Sequence, residues 1–138
     1  MVLRKVLMRK DIEIPKVEKL FLAVTEEYNE TFKTNDHYAY LINQREADLE
    51  TVLVLSHGSD GEQRTSYMRH KIDRLPARSF ARVELMQEEV LELNNSFKVT
   101  FFEGNKMFEK DFLLKKGSLK EGNLRHIEIL GKRGILLK

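Results

Sequence analysis

Serine, histidine and aspartate side chains lie close together near the middle of the chain, and nucleophilic catalysis uses these residue types. A serine nucleophile needs a histidine base that a carboxylate orients, and no G-x-S-x-G elbow surrounds either serine. The glycines and aspartate of residues 57–62 favour a tight turn instead. A small hydrolase-type enzyme is therefore an alternative interpretation, with no residue assigned as catalytic. The residues concerned are Ser56, His57, Ser59, Asp60 and His70.

Composition removes several other kinds of chemistry. The chain has no cysteine, which excludes disulfides, thiolate nucleophiles and cysteine-based metal centres. Its four histidines follow no metal-binding spacing, and its glycine-containing stretches do not match a phosphate-binding loop. We therefore predict no metal site and no cofactor.

The best candidate for a binding surface is a basic stretch in which side chains alternate. Met68 and Ile72 fall on one face of a predicted strand over residues 64–72, opposite the more polar side chains. An aromatic ring flanked by cationic groups can stack on a base or contact a phosphate. The predicted partner-binding residues are Arg64, Tyr67, Arg69, His70, Lys71 and Arg74, and the basic face continues to Arg78 and Arg82.

The alternative for this basic face is that acidic neighbours already neutralise it. Residues 61–82 carry six bases and two acids, whereas residues 83–97 carry four acids and no base. Alternating blocks of charge are typical of cross-strand ion pairs. We therefore expect pairing with Glu84, Glu88 or the acidic residues 26–30 to occupy most of these bases.

Most of the chain reads as short strands separated by turns. Residues 51–55 are β-branched or apolar on both faces, which predicts a central strand. Alternation predicts further strands over residues 38–43 and 80–86, and a short helical turn falls at residues 88–93. Residues 97–114 form the clearest hairpin, with a turn at residues 103–106.

Three segments allow more than one interpretation. Residues 1–14 predict an N-terminal arm or edge strand. Residues 17–30 have helical spacing, but alternation favours a strand over 19–25. In the C-terminal region, Ser118 and Glu121 fit a capping box, which favours a helix over 119–130 rather than a second hairpin.

These elements predict a single globular domain over residues 1–138. Its fold class is mainly β, an antiparallel β-sandwich with a short C-terminal helix. The corner at residues 72–80 is similar to one in immunoglobulin-like sandwiches. The alternative is an α+β fold in which a helix at 17–30 packs on the sheet.

Four segments carry a resemblance to a family: residues 27–30 (EYNE), 40–43 (YLIN), 68–70 (MRH) and 95–102 (NSFKVTFF). They resemble a family of small uncharacterised bacterial proteins of about this length, and the similarity would cover most of the chain. Some members carry an automatic label as phenylalanyl-tRNA synthetase α subunits. A class II synthetase core is much longer and needs ATP- and amino-acid-binding motifs that this chain lacks. The resemblance implies a family and no mechanism.

Function is predicted only by class. We expect a non-catalytic binding or interaction domain that recognises a protein or an anionic ligand through the basic face of residues 64–82. The alternative function is that of an RNA-binding accessory protein that uses the same face, although nucleic acid is not the favoured partner. A homodimer is compatible with the exposed strand edges. The absence of cysteine, of a signal peptide and of a long apolar span predicts a cytoplasmic protein without membrane contact.

Overall fold

The computed structural model describes residues 16–138, so the predicted arm or edge strand at residues 1–14 lies outside the described residues. The described chain is mainly β, with all strands paired antiparallel, which confirms the predicted class at that level. In chain order its elements are β1 (Leu20–Asn29), β2 (Thr34–Asn43), β3 (Leu49–Asp60), β4 (Gln63–Arg64), β5 (Met68–Leu75), β6 (Ser79–Leu85), α1 (Glu88–Leu91), β7 (Asn94–Glu103), β8 (Lys106–Leu114), a 3-10 turn (Glu121–Asn123), β9 (Arg125–Ile127) and β10 (Lys132–Leu137).

The first sheet has the strand order β6-β2-β1-β10-β9, with β1 at its centre. Both faces of β1 are buried: Leu22 and Val24 join one apolar cluster, and Ala23 joins another. Apolar residues at consecutive positions suit a strand covered on both sides. The predicted strand over 19–25 is therefore confirmed, and the alternative helix over 17–30, with its α+β fold, is wrong.

The second sheet is organised around β3, which lies between β5 and β7, with β8 beyond β7. The predicted central strand over 51–55 is confirmed. Thr51 has a positive φ of 48°, which interrupts the alternation, so Leu49 and Val52 are both buried although they are three residues apart. The turn predicted over 57–62 is shorter than expected, because β3 continues to Asp60 and pairs there with β4.

One apolar cluster joins the two sheets. Its most buried side chains alternate along each strand with side chains that face outward, as the period of a strand requires. The long hairpin contributes one of these faces, as predicted, and its turn at residues 104–105 falls within the predicted turn. The largest buried members are Leu20, Leu22, Val24 and Leu41 from the first sheet and Leu49, Val52, Val54, Phe97, Val99, Phe101 and Leu114 from the second.

The C-terminal segment corrects the prediction of a helix over 119–130. Only a 3-10 turn forms there, and β9 and β10 then make the second hairpin, with Gly131 (φ 64°) in its turn. The physical reason is tertiary. β10 pairs with β1, and Ile127 and Leu130 pack on the outer face of the first sheet. A helix over 119–130 would have removed β9 from its pairing with β10.

Candidate partner-binding surface

The register of the second sheet places two of the predicted bases of β5, Arg69 and Lys71, on its outer face, away from the shared core. Arg69 lies opposite Leu55, and Lys71 lies opposite Leu53. On the other side of β3, Leu55 is paired with Lys98 of β7. Directly opposed residues share a face of a sheet. Three exposed cations therefore lie around two half-buried leucines.

An aromatic pair continues this surface along β3. The rings of His57 and Tyr67 lie with their centroids 4.5 Å apart, and Tyr67 remains 63% exposed. A shallow depression of about 450 Å³ lies beside this pair, toward β7 and β8. We call the outer-face residues Leu53, Leu55, His57, Tyr67, Arg69, Lys71 and Lys98 the second-sheet face.

The remaining bases of the predicted site differ in their partners. Within residues 16–138, no carboxylate forms an ion pair with the exposed side chains of Arg64 or Arg69. Lys71 is 3.8 Å from Asp73, and both side chains are exposed. Arg74 is paired with Asp48. The backbone N–H of Ala77 and the Arg74 guanidinium together lower the pKa of Asp48.

The basic stretch over 64–82 spans both sheets rather than one strand face. β5 belongs to the second sheet and β6 to the first. Arg78 is 2.5 Å from Glu46, and Arg82 stacks over the Tyr38 ring at 4.2 Å. The acidic partners of Arg74 and Arg78 thus come from residues 46–48, rather than from Glu88 or the block at 26–30.

His70 faces the space between the sheets instead of the second-sheet face. Its Nε2 lies 3.2 Å from Oε1 of Glu84, and Ser56 donates a 2.7 Å hydrogen bond to the same oxygen. Glu84, one of the expected acidic partners, therefore contacts His70 and Ser56 rather than an arginine or a lysine. In the serine–histidine–carboxylate arrangement the histidine lies between the other two groups. Here the carboxylate lies between them, which does not activate the serine.

The residues of the alternative catalytic site converge only in part, because Ser56 and His70 share Glu84 whereas His57 and Asp60 lie apart from them. His57 lies on the outer face of the second sheet and His70 on the inner side. Asp60 is held by Lys116 at 3.0 Å, which occupies its carboxylate. Among the described residues, the His57 ring packs on Tyr67, and His70 contacts the Glu84 carboxylate rather than a hydroxyl.

A second polar network on the outer face of the first sheet was not anticipated from the sequence. Glu27 accepts hydrogen bonds from Thr25, Tyr40 and Lys132, at 2.8, 2.8 and 3.1 Å. Burial acts to raise the pKa of Glu27, but these three donors outweigh it and leave the pKa lowered. Burial and the Glu27 carboxylate raise the pKa of Tyr40. The network is satisfied internally.

Two comparisons with known proteins identified no relative of the chain. Neither a scan against protein-family models nor a search of curated proteins found a match for the chain. In the part of the chain that the structure describes, no helix is long and apolar enough to cross a membrane. Within the same residues, no three histidine or acidic side chains are grouped as they would be around a metal ion.

Proposed function

We propose that the protein is a non-catalytic binding domain, built as an open β-sandwich, that recognises an acidic segment of a partner protein. The observation that carries this proposal is the second-sheet face. There Arg69 and Lys71 lie two residues apart on one strand, beside an exposed aromatic ring, and no described carboxylate pairs with Arg69. Cations that already have carboxylate partners, such as Arg74 and Arg78, would offer a ligand little.

The edge of the sheet supports an extended partner. Among the described strands, β5 pairs only with β3, so its other side presents backbone N–H and C=O groups. An extended segment can add to such an edge through main-chain hydrogen bonds. Alternate acidic side chains of that segment would then reach Arg69 and Lys71, which point to one face. Backbone pairing supplies affinity, and the charges supply selection.

The β8 side of the second-sheet face carries acidic side chains, and these limit where an acidic partner can bind. Lys98 is 3.6 Å from Glu109, and Asp111 lies opposite Lys98 on β8. The surface is therefore basic toward β5 and acidic toward β8. An acidic segment is attracted to the β5 side and repelled from the β8 side, which favours one position of the partner.

RNA is the second candidate, and the aromatic pair is the observation that favours it. Tyr67 is exposed and lies on His57, so a base could stack on the outer face of its ring. Arg64, exposed in the neighbouring β4, could contact a phosphate. Glu109 and Asp111 oppose a polyanion that crosses the whole sheet, which is why the acidic protein segment is preferred.

Fluorescence anisotropy tests the proposal with two labelled probes, a peptide of alternating glutamate and valine and a single-stranded RNA. Arg69→Ala and Lys71→Ala should each weaken peptide binding about three- to tenfold, or about 0.7–1.4 kcal/mol. Higher salt should weaken it further, because exposed charges are screened. Lys120→Ala removes one exposed charge outside the sheets and is the matched control. Peptide affinity that is equal in all variants would contradict the proposal, and tighter RNA binding would favour the second candidate.

Four further predictions belong to this proposal. The cytoplasmic location rests on the lack of cysteine in the sequence. A homodimer would use the same edge of β5 that the partner segment uses. Membership of the small bacterial family and an immunoglobulin-like type of sandwich stay predictions, and neither supplies a mechanism beyond the one argued from the second-sheet face.

A further inference from the structure

A separate cleft of about 280 Å³ opens between the two sheets, at the end where α1 lies. Its walls come from β3 and the start of β5 in the second sheet and from the end of β6 in the first. The volume lies just under the range of sites for drug-sized ligands, so it suits a group the size of one side chain. The lining includes Ser56, Thr65, Met68, Glu84, Leu85 and Gln87.

Glu84 supplies the charge of this cleft. Its side chain is 9% exposed, and its Oε1 is held by Ser56 at 2.7 Å and lies 3.2 Å from His70 Nε2. These contacts come from β3 and β5, so the carboxylate is fixed by two strands of the opposite sheet. A carboxylate held in this way presents its second oxygen in one direction.

The second oxygen of Glu84, Oε2, has no hydrogen-bond donor among residues 16–138. It is nevertheless not sealed from solvent, because the only fully enclosed side-chain atom without a partner in the described chain is Arg45 Nε. A carboxylate oxygen that is largely desolvated and lacks a donor gains from a charged N–H group. Oε2 is therefore an acceptor without a partner among residues 16–138, on a side chain that lines the cleft.

The rim of the cleft adds charge and apolar surface. Glu88 and Glu89, exposed in α1, line a neighbouring depression that shares Leu85 and Gln87 with the cleft, and no described base forms an ion pair with either of them. Their field favours a cation. Met68 and Leu85, 48% and 52% exposed, provide apolar contacts for a hydrocarbon chain.

We propose that this cleft binds an organic cation, an ammonium or guanidinium group on a short alkyl chain. The cation donates to Oε2 of Glu84, while Ser56 and His70 keep the other oxygen in place. The alkyl chain lies against Met68 and Leu85. The ligand is either a free amine or a lysine or arginine side chain of another protein, since each presents a cationic N–H donor on an alkyl chain. The second-sheet face lies on the other side of β3, and His57 is the one residue that lines both its depression and the cleft.

NMR titration of the full chain tests the inference with four probes: butylammonium, N-acetyl-lysine methylamide, N-acetyl-arginine methylamide and neutral butanol. The cations should give saturable shifts at the amides of Ser56, Glu84 and Gln87, with a Kd of about 1 mM. If butylammonium binds as tightly as the lysine and arginine methylamides, a free amine is sufficient as the ligand. An amide preference of about tenfold identifies a protein side chain as the source.

Glu84→Gln keeps the shape of the side chain and the oxygen that accepts from Ser56, but it removes the charge. It should weaken the binding of the cations about tenfold or more. Glu109→Gln, on the outer face of β8, is the matched control and should bind as the unmodified protein does. If Glu84→Gln fails to fold, Met68→Trp narrows the cleft from an exposed position and should also weaken binding. Equal shifts with butanol, shifts that never saturate, or unchanged affinity in the folded variants would overturn the inference.

Discussion

Gly134 is the residue at which the fold tolerates least change. It lies opposite Thr25, and a Cβ at this position would be 2.4 Å from the backbone oxygen of Val24. Backbone atoms of a central strand cannot move aside cheaply, so β10 approaches β1 only because no side chain intervenes. The sequence shows a glycine here, but the close approach depends on a strand pairing that the sequence did not predict.

Gly134→Ala should therefore lower the free energy of unfolding by about 1–3 kcal/mol, the usual cost of overpacking. Gly122→Ala is the matched control, because a Cβ there meets nothing within 4 Å and φ is not positive. Gly122→Ala should change the free energy of unfolding by no more than about 0.5 kcal/mol. Urea unfolding measures both, and an equally stable Gly134→Ala would show that the two strands are farther apart.

Glu27 predicts an acid dependence of stability. Its pKa is lowered in the folded state relative to the ordinary value of 4.5, so the unfolded chain binds the proton more readily. The contribution is present above pH 4.5 and is lost as the pH falls through the folded pKa. Unfolding measured against pH should show the stability difference between the protein and Glu27→Gln shrinking below that pH. A difference that stays constant would contradict the assigned hydrogen bonds.

Strands could be predicted where apolar and polar residues alternate, or where consecutive apolar residues indicate a strand buried on both faces. Examples are β1, β3 and the β7–β8 hairpin. The C-terminal helix failed because local capping residues, Ser118 and Glu121, competed with tertiary pairing, and pairing won. Ser118 instead bonds the carbonyl of Lys115, and Glu121 pairs with Arg133. Local chemistry cannot reveal that residues 125–127 pair with β10.

The contact between Ser56 and Glu84 joins elements of the two sheets, and its removal should be costly. Ser56→Ala would leave a largely buried carboxylate with one donor fewer, which costs about 1.5–3 kcal/mol for a hydrogen bond to a charged group. Ser96→Ala, on the outer face opposite His57, removes the same hydroxyl from a half-buried site. Thermal unfolding should show a clear loss for the first variant and little for the second. Equal losses would mean that the contact between the sheets contributes nothing.

At the scale of the whole molecule, the sequence indicated a basic stretch but not how the sheets divide it. Arg69 and Lys71 lie on the second sheet, and Arg82 lies on the first. Lys98 was missed, because its place beside them follows from the register of β7 on β3. Net charge by segment therefore located the surface only approximately, since strand pairing decides which charges share a face.

The most direct test of the account is to map where an acidic extended peptide binds, using backbone amide shifts across the whole protein. We expect the largest changes along β5 and at His57, Tyr67 and Lys98, with β9 and β10 unaffected. Charge reversal by Arg69→Glu and Lys71→Glu together should abolish them, while Lys120→Glu should leave them unchanged. Shifts centred on the first sheet, or a map unaltered by the double reversal, would contradict the second-sheet face as the binding surface.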